Sequence, residues 1–463
     1  VNNVEVRPSF AATFDIAKQS LKKDPLFGVG PGRFATEWIT SKPDAINNTV
    51  FWATDFNYGI GFIPSLVVTT GLVGALAWLV FFVLFVYMGF KALFTRALDM
   101  FSRFTLVSSF ILSLYLWIFS FVYVPSATML ILTFLFTGLF MGSLIEAGLV
   151  KIRSYNFVKD PRTSFLSVLI FIILIIGLII TTYAVGRRFV AATYYNKALV
   201  EANVNNNIDG AEQYLVKAVN LSGNDLYLRT LTDLELIKIN MLLSRKDTSQ
   251  EMLQSQFRTI LSAAQSAAQG AVEKDKTNYQ NWLTLGKVYE SVVPLNIEGA
   301  YESAQAAYAE ARKLNPKSPA ILLVIARLDV AHKDIAKAKK EISEALKLKG
   351  DYTDAIFLLA QIQVNEGDLK SAIQSVEAAA YLNSTNSGVY FQLGLLRYED
   401  KNYEGAASAF EQAIVLTPGY ANAQYFLGLS YEKLGKDAEA LALFAKLKET
   451  NPNNQEIDLI LKN

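Results

Sequence analysis

The chain contains no cysteine. That excludes disulfides, thiolate metal sites and cysteine nucleophiles, and it leaves the redox compartment open. Histidine is almost as scarce. His332 is the only one, and it stands alone at a turn, Ala331-His332-Lys333-Asp334, where catalysis or metal binding would need companions. There is no excess of one charge: the formal net charge is +1, so nothing argues for nucleic acid as a partner. The first residue is Val1 and no basic segment with a cleavage site follows it, so no signal peptide is read. The chain is expected to start inside a longer gene product, with earlier spans upstream.

What the sequence has in quantity is apolar residues, 52% of its 463, and they are unevenly spread. Phe56 to Phe90, Phe104 to Ile145 and Thr163 to Gly186 carry no charge. A membrane-spanning helix needs about 20 apolar residues. The first and third stretches each fit one span, and the second fits two, divided by Pro125-Ser126, a dipeptide that helices do not run through. Four spans are therefore expected, at about 60–90, 104–124, 126–146 and 163–186. Lys91, Arg96 and Arg103 follow the first span, and Lys151, Arg153, Lys159 and Arg162 precede the last, while the hairpin turn between is uncharged. The excess of basic residues puts both of those loops in the cytoplasm. Residues 1–58 and everything after 187 then lie outside it, in a multi-pass protein of the inner (cytoplasmic) membrane. Arg187-Arg188 argues weakly the other way. Glu146 closes the third span and is read as reaching the interface.

Residues 188–463 are polar, Ala-rich and periodic. A pattern recurs about every 34 residues: a large residue, then Leu-Gly, then Tyr, then Ala, an aromatic, Ala and Pro. Trp282, Leu285, Gly286 and Tyr289 open one unit, which Ala304, Tyr308, Ala311 and Pro316 close after an insertion. Tyr390, Leu393 and Gly394 open another, closed by Ala406, Phe410, Ala413 and Pro418; Leu427, Gly428 and Tyr431 open the last, closed by Ala440, Phe444 and Pro452. Two degenerate units lie between, on Ala326, Ala338 and Ala345 and on Ala360, Ala372 and Ala379, and a weak one starts near Tyr195 with Ala211 and Ala218. A longer helix from Thr248 to Glu273 interrupts the period, and 453–463 reads as a capping helix. This is the tetratricopeptide pattern. Small residues let two helices cross closely, the aromatic fills the space beside them, and the pairs must stack to cover their apolar faces. The fold class is thus all-α: a transmembrane helical bundle followed by an α-solenoid. Such a stack presents a groove suited to a protein or peptide, or serves as a spacer.

Residues 1–58 form a third segment. PSFAATFDIAKQSLKKD, 8–24, reads as an amphipathic helix, and PLFGVGPGRF follows. Gly28, Gly30 and Gly32 around Pro31 make a tight turn whose N–H groups suit a phosphate, though the surroundings of a dinucleotide fingerprint or P-loop are missing. A bend at the membrane surface is the plainer reading. Arg7 and Arg33 flank the turn and suit bidentate pairing with a diphosphate; Lys22 and Lys23 read as solvated.

The run Arg7 … PLFGVGPGRF … TTGLVG resembles the C-terminal part of the O-antigen ligase and polymerase family, over roughly residues 5 to 140. The resemblance implies many membrane helices, a large external loop, and transfer of glycan from an undecaprenyl-diphosphate carrier to an acceptor without metal or cofactor. It implies that Arg7 and Arg33, with Gly28, Gly30 and Gly32, hold the diphosphate. The family's loop has a His-Asn pair eleven residues before the Gly of Gly-Leu-x-Gly. Here that Gly is Gly71, and Ile60-Gly61 stands in the place of the pair. Asp55 is the candidate catalytic base instead, weak unless burial raises its pKa; the alternative for it is an interfacial turn residue. Two functions are therefore expected to compete. One is an envelope glycan transferase of the ligase or polymerase type, whose repeats bind the acceptor or a partner protein. The other is a non-catalytic, membrane-anchored scaffold for envelope assembly.

Overall fold

A computed structural model of the chain describes residues 7–95, 99–151, 161–244, 249–451 and 455–461. Arg96, Arg153, Lys159, Thr248 and Pro452, named above, lie outside these residues, as do both ends of the expected capping helix. Among the described residues every regular element is helical. The chain divides into two compact units. The first comprises Val1–Ile46, Phe51–Asn281 and Leu314–Lys317; the second comprises Asn47–Val50, Trp282–Lys313 and Ser318–Asn463.

The first unit opens with α1 (Phe10–Lys23) and α2 (Phe34–Ser41). Ser9 caps α1 by accepting the Ala12 N–H, which satisfies an amide that a helix start leaves over. The face of α1 carrying Ala12, Ile16 and Ala17 packs in a core with Phe34, Trp38, Phe56 and Val68. Trp38 meets Phe56 edge to face at 4.9 Å, and its indole N–H donates to Thr54 O at 3.1 Å, so the buried ring leaves no polar atom unpaired. Lys23 is not simply solvated: it pairs at 2.8 Å with the buried carboxylate of Glu37.

Four helices of this unit are long and apolar enough to cross a membrane. They are α3 (Phe62–Leu93), α4 (Met100–Val122), α5 (Ala127–Glu146) and α6 (Pro161–Asn203). Ser126 caps α5, directly after the Pro125 that separates it from α4. Phe85, Phe110, Trp117 and Phe140 interlock among α3, α4 and α5, and Trp117 donates to Thr137 Oγ1 at 3.0 Å. Glu146, at the end of α5, accepts from Ser102 Oγ at 3.2 Å. α6 behaves differently. It runs through residue 187 without a break, so its apolar stretch and its repeat-like end form one helix. Its apolar stretch has no buried residue, whereas Ala191 and Ala198 near its end are fully buried. Ala198 packs against α7 (Ile208–Leu221) at Ala211 and Leu215. α8 (Asp225–Leu243) and α9 (Gln250–Lys274) follow as a packed pair. The longer helix expected to interrupt the period is thus the second member of a pair, closed on α8 through Ala267, Ala271 and Leu228.

The helix pairs that follow are α10 (Tyr279–Glu290), whose residues up to Asn281 belong to the first unit, with α11 (Ala300–Leu314), whose last residue does too; then, within the second unit, α12 (Pro319–Ala331) with α13 (Ile335–Leu348), α14 (Thr353–Asn365) with α15 (Leu369–Leu382), α16 (Ser387–Glu399) with α17 (Tyr403–Leu416), and α18 (Ala421–Lys433) with α19 (Asp437–Thr450). α20 (Gln455–Ile460) follows, with Ile457 buried against Ala440, Phe444 and Leu447. The conspicuous small residues lie where the helices cross. A Cβ on Gly286 would run into the Tyr308 ring, one on Gly394 into Phe410, and one on Gly428 into Phe444. In the two degenerate repeats the glycine is replaced by Ala326 or Ala360, and the aromatic by Ile342 or Val376, all fully buried. The added methyl is matched by a smaller partner, which keeps the packed volume.

Candidate functional site

The glycine-rich turn is held by a break in α3. Gly71 leaves the helix with φ 63° and ψ −159°, a conformation open to glycine alone at little cost. The break frees backbone groups that an apolar environment would penalise, and the turn takes them up. Val29 N–H and Ser20 Oγ donate to Val68 O at 3.0 and 2.7 Å. Leu72 N–H and Val73 N–H donate to Pro25 O and Leu26 O at 2.9 and 3.1 Å. Gly28, at φ +65°, lies against Val68 O and Gly71, and a side chain on either glycine would collide with backbone of the other segment. The PLFGVGPG and TTGLVG motifs are therefore two halves of one joint.

The remaining glycines lie past the joint. Gly30 and Gly32 also have positive φ, and a Cβ on Gly32 would meet nothing. Pro31, Gly32 and Phe34 line a cleft of about 430 Å³ together with Asn57, Tyr58, Phe62 and the Ser65–Thr70 face of α3. Arg33 lies between two of these lining residues and is exposed. Arg7 and Asp55 are not among the lining residues. Arg7 donates to Val122 O, and to Ile60 O at 3.4 Å, with its guanidinium 5.7 Å from the Tyr123 ring centre. It braces the C-terminal end of α4. Of the candidate residues, the structure thus sets Gly32 in the lining of the cleft, with exposed Arg33 next to it in sequence; Gly28 has a packing role, and Gly30, Arg7 and Asp55 lie outside the lining.

Asp55 sits in a cluster that the sequence does not announce. Its carboxylate accepts from Tyr279 OH at 2.8 Å and Gln280 Nε2 at 3.4 Å. Burial first, and then the nearby Asp55 charge, push the Tyr279 hydroxyl up to about 12, so it stays a neutral donor. Lys42 donates to Trp52 O at 2.6 Å, and burial holds its ammonium below the usual lysine value. Lys317 bridges Lys42 O and Asp44 Oδ1, both at 2.8 Å. Lys42, Tyr279 and Lys317 were not legible as partners, because they are far apart in sequence and obey no period. Among the described residues no three of His, Asp and Glu come together to hold a metal ion.

The second unit has a groove of its own. α12, α14 and α16, the first helices of three successive pairs, line a concavity of about 420 Å³. Its lining combines the apolar Phe357, Leu358, Val364 and Leu396 with the polar or charged Arg327, Asp354, Gln361, Gln392 and Glu399. This mix follows from repetition: equivalent positions of stacked helices fall on one face.

Tetratricopeptide repeat family models match residues 295–348, 353–386 and 391–454. The C-terminal region is thus an array of tetratricopeptide repeats. Among solved structures the chain is similar to YrrB, a tetratricopeptide protein described as having an unusual peptide-binding site, at 22% identity over 42% of this chain and 98% of that one, with a TM-score of 0.32. A tetratricopeptide repeat protein from Parabacteroides merdae matches at 14% identity over 59% of this chain and 97% of that one, with a TM-score of 0.38. No curated protein matches the chain.

Proposed function

We propose that this protein is a membrane-anchored scaffold whose repeats bind an extended peptide segment of a partner protein, on the extracytoplasmic face of the inner membrane. The observation that carries this reading is the groove on α12, α14 and α16, where Phe357 and Leu396 offer an apolar seat amid unlike charges. Stacked helical repeats form extended concave binding surfaces. Peptides selected from a random library against the full chain in nanodiscs test it. A bound peptide should lose about 2 kcal/mol, roughly 30-fold in Kd, on Phe357→Ala, and nothing on a substitution at exposed Lys370. Peptides indifferent to Phe357 and Gln361 would leave the groove without a role.

A second reading is favoured by the joint at Gly71 and its cleft. In it the chain is part of an O-antigen ligase-like or polymerase-like glycan transferase that takes an undecaprenyl-diphosphate-linked donor, and the repeats hold its acceptor or a partner. Gly30, Gly32 and Arg33 would meet the diphosphate, and Arg7 and Gly28 would shape the site from behind. Asp55 would serve as base only if its bonds to Tyr279 and Gln280 were released. Its support is the convergence of two motifs on one cleft, next to Arg33, which is exposed and has no ion-pair partner among the described residues. Arg33→Ala in a glycan-transfer assay on the full gene product should abolish transfer, with Arg33→Lys restoring part of it; unchanged transfer by Arg33→Ala ends this reading.

A further inference from the structure

We infer that α1 and the turn after it form a membrane-surface insert whose partner is the headgroup region of an anionic bilayer. The inference rests on α3 and α4 spanning a membrane. Both ends of α1 are pinned to those helices on the hairpin side. Arg7, just before α1, is bonded to Val122 O at the end of α4. Pro25 and Leu26, just after it, accept from Leu72 and Val73. The piece of α3 from Leu72 to Leu93 is roughly 33 Å long at 1.5 Å per residue. That alone covers a hydrocarbon core of about 30 Å, so Leu72 stands at the edge of the core and the turn is held at the same depth. α1 therefore lies along the surface between two anchors.

Its outward side suits that position. The inward face is buried, but Phe10, Phe14, Leu26 and Phe27 are each at least 50% exposed. Leu72, Val73 and Leu76, next along α3, are exposed as well, so the apolar surface of the turn continues that of a spanning helix. Exposed Lys18 and Lys22 follow Phe10 and Phe14 at four-residue steps on the same stripe of α1, and neither has an ion-pair partner among the described residues. Aromatics that enter the acyl boundary, with lysines reaching phosphates, are the composition of a helix lying in the interface.

The absence of cysteine makes the test direct. Single nitroxide labels are placed by Phe14→Cys, Phe27→Cys, Leu79→Cys and Lys370→Cys in the full chain, in nanodiscs of phosphatidylcholine with phosphatidylglycerol. Collision rates with oxygen and with a water-soluble nickel chelate are compared. Labels at 14 and 27 should favour oxygen severalfold, as the label at 79 does, while that at 370 favours the chelate. The joint change Lys18→Glu and Lys22→Glu should shift label 14 toward the chelate only when phosphatidylglycerol is present. If 14 and 27 meet the chelate as readily as 370, or are shielded from both reagents as in a protein interface, while 79 still reports lipid, the inference is overturned. A label at 79 open to the chelate would instead overturn the spanning of α3.

Discussion

Gly394 and Phe410 show how little room a single residue has in this fold. The glycine leaves a gap and the ring of Phe410 occupies it. Gly394→Ala should therefore cost about 2 kcal/mol by overpacking, read as lost hydrogen-exchange protection in α16 and α17. Adding Phe410→Val should recover part of that loss, because Ala360 with Val376 already packs this way one repeat earlier; a purely additive double substitution would contradict the volume argument. Tyr279 offers a titration of the same precision. Its hydroxyl pKa is raised from 10.0 to about 12 in the folded chain. The neutral form is thus favoured on folding, and the associated stability is complete below pH 10 and lost as pH rises toward 12. Tyr279→Phe should cost about 2 kcal/mol, the scale of a hydrogen bond to a charged group, and flatten the stability profile across that window.

Among elements, α3 and α17 carry opposite lessons. α3 works because it is broken: its Gly71 frees the carbonyl and amides that the turn at Gly28 binds. Gly28→Ala forces a positive φ and a backbone collision together, and should cost at least about 2 kcal/mol of strain, seen as exposure of the Pro25–Gly32 backbone to exchange. α17 works because it is regular. Phe410 is fully buried, with Phe391 and Phe426 at 5.8 and 5.9 Å. Phe410→Ala should cost about 4 kcal/mol. Since each repeat leans only on its neighbours, protection should fall in α16 to α18 and be kept in α12 and α13. α6 adds that a boundary drawn from hydropathy can fall inside one continuous helix.

At the scale of the whole molecule the testable property is orientation across the membrane. The basic residues of the loops after α3 and before α6 favour a cytoplasmic position for both, with the repeats outside. A cysteine at Lys370 in spheroplasts should then react with a membrane-impermeant maleimide before lysis. Reaction only after lysis would reverse the topology, and with it the site at which the groove meets its partner.

The repeats were legible because their physics is local and periodic: Ala304, Ala338, Ala372 and Ala406 are fully buried as their spacing requires, since a stacked helix pair repeats the same crossing each time. The apolar helices were legible because length and hydropathy alone define them. Composition could not reveal that α9 pairs with α8, or that α6 continues past its apolar stretch. Nor could spacing show that Gly28 meets Gly71, that Arg7 braces α4, or that Asp55 is held by Tyr279. Those are single encounters between distant parts of the chain. They obey no period, and only the folded backbone brings their partners within hydrogen-bonding reach.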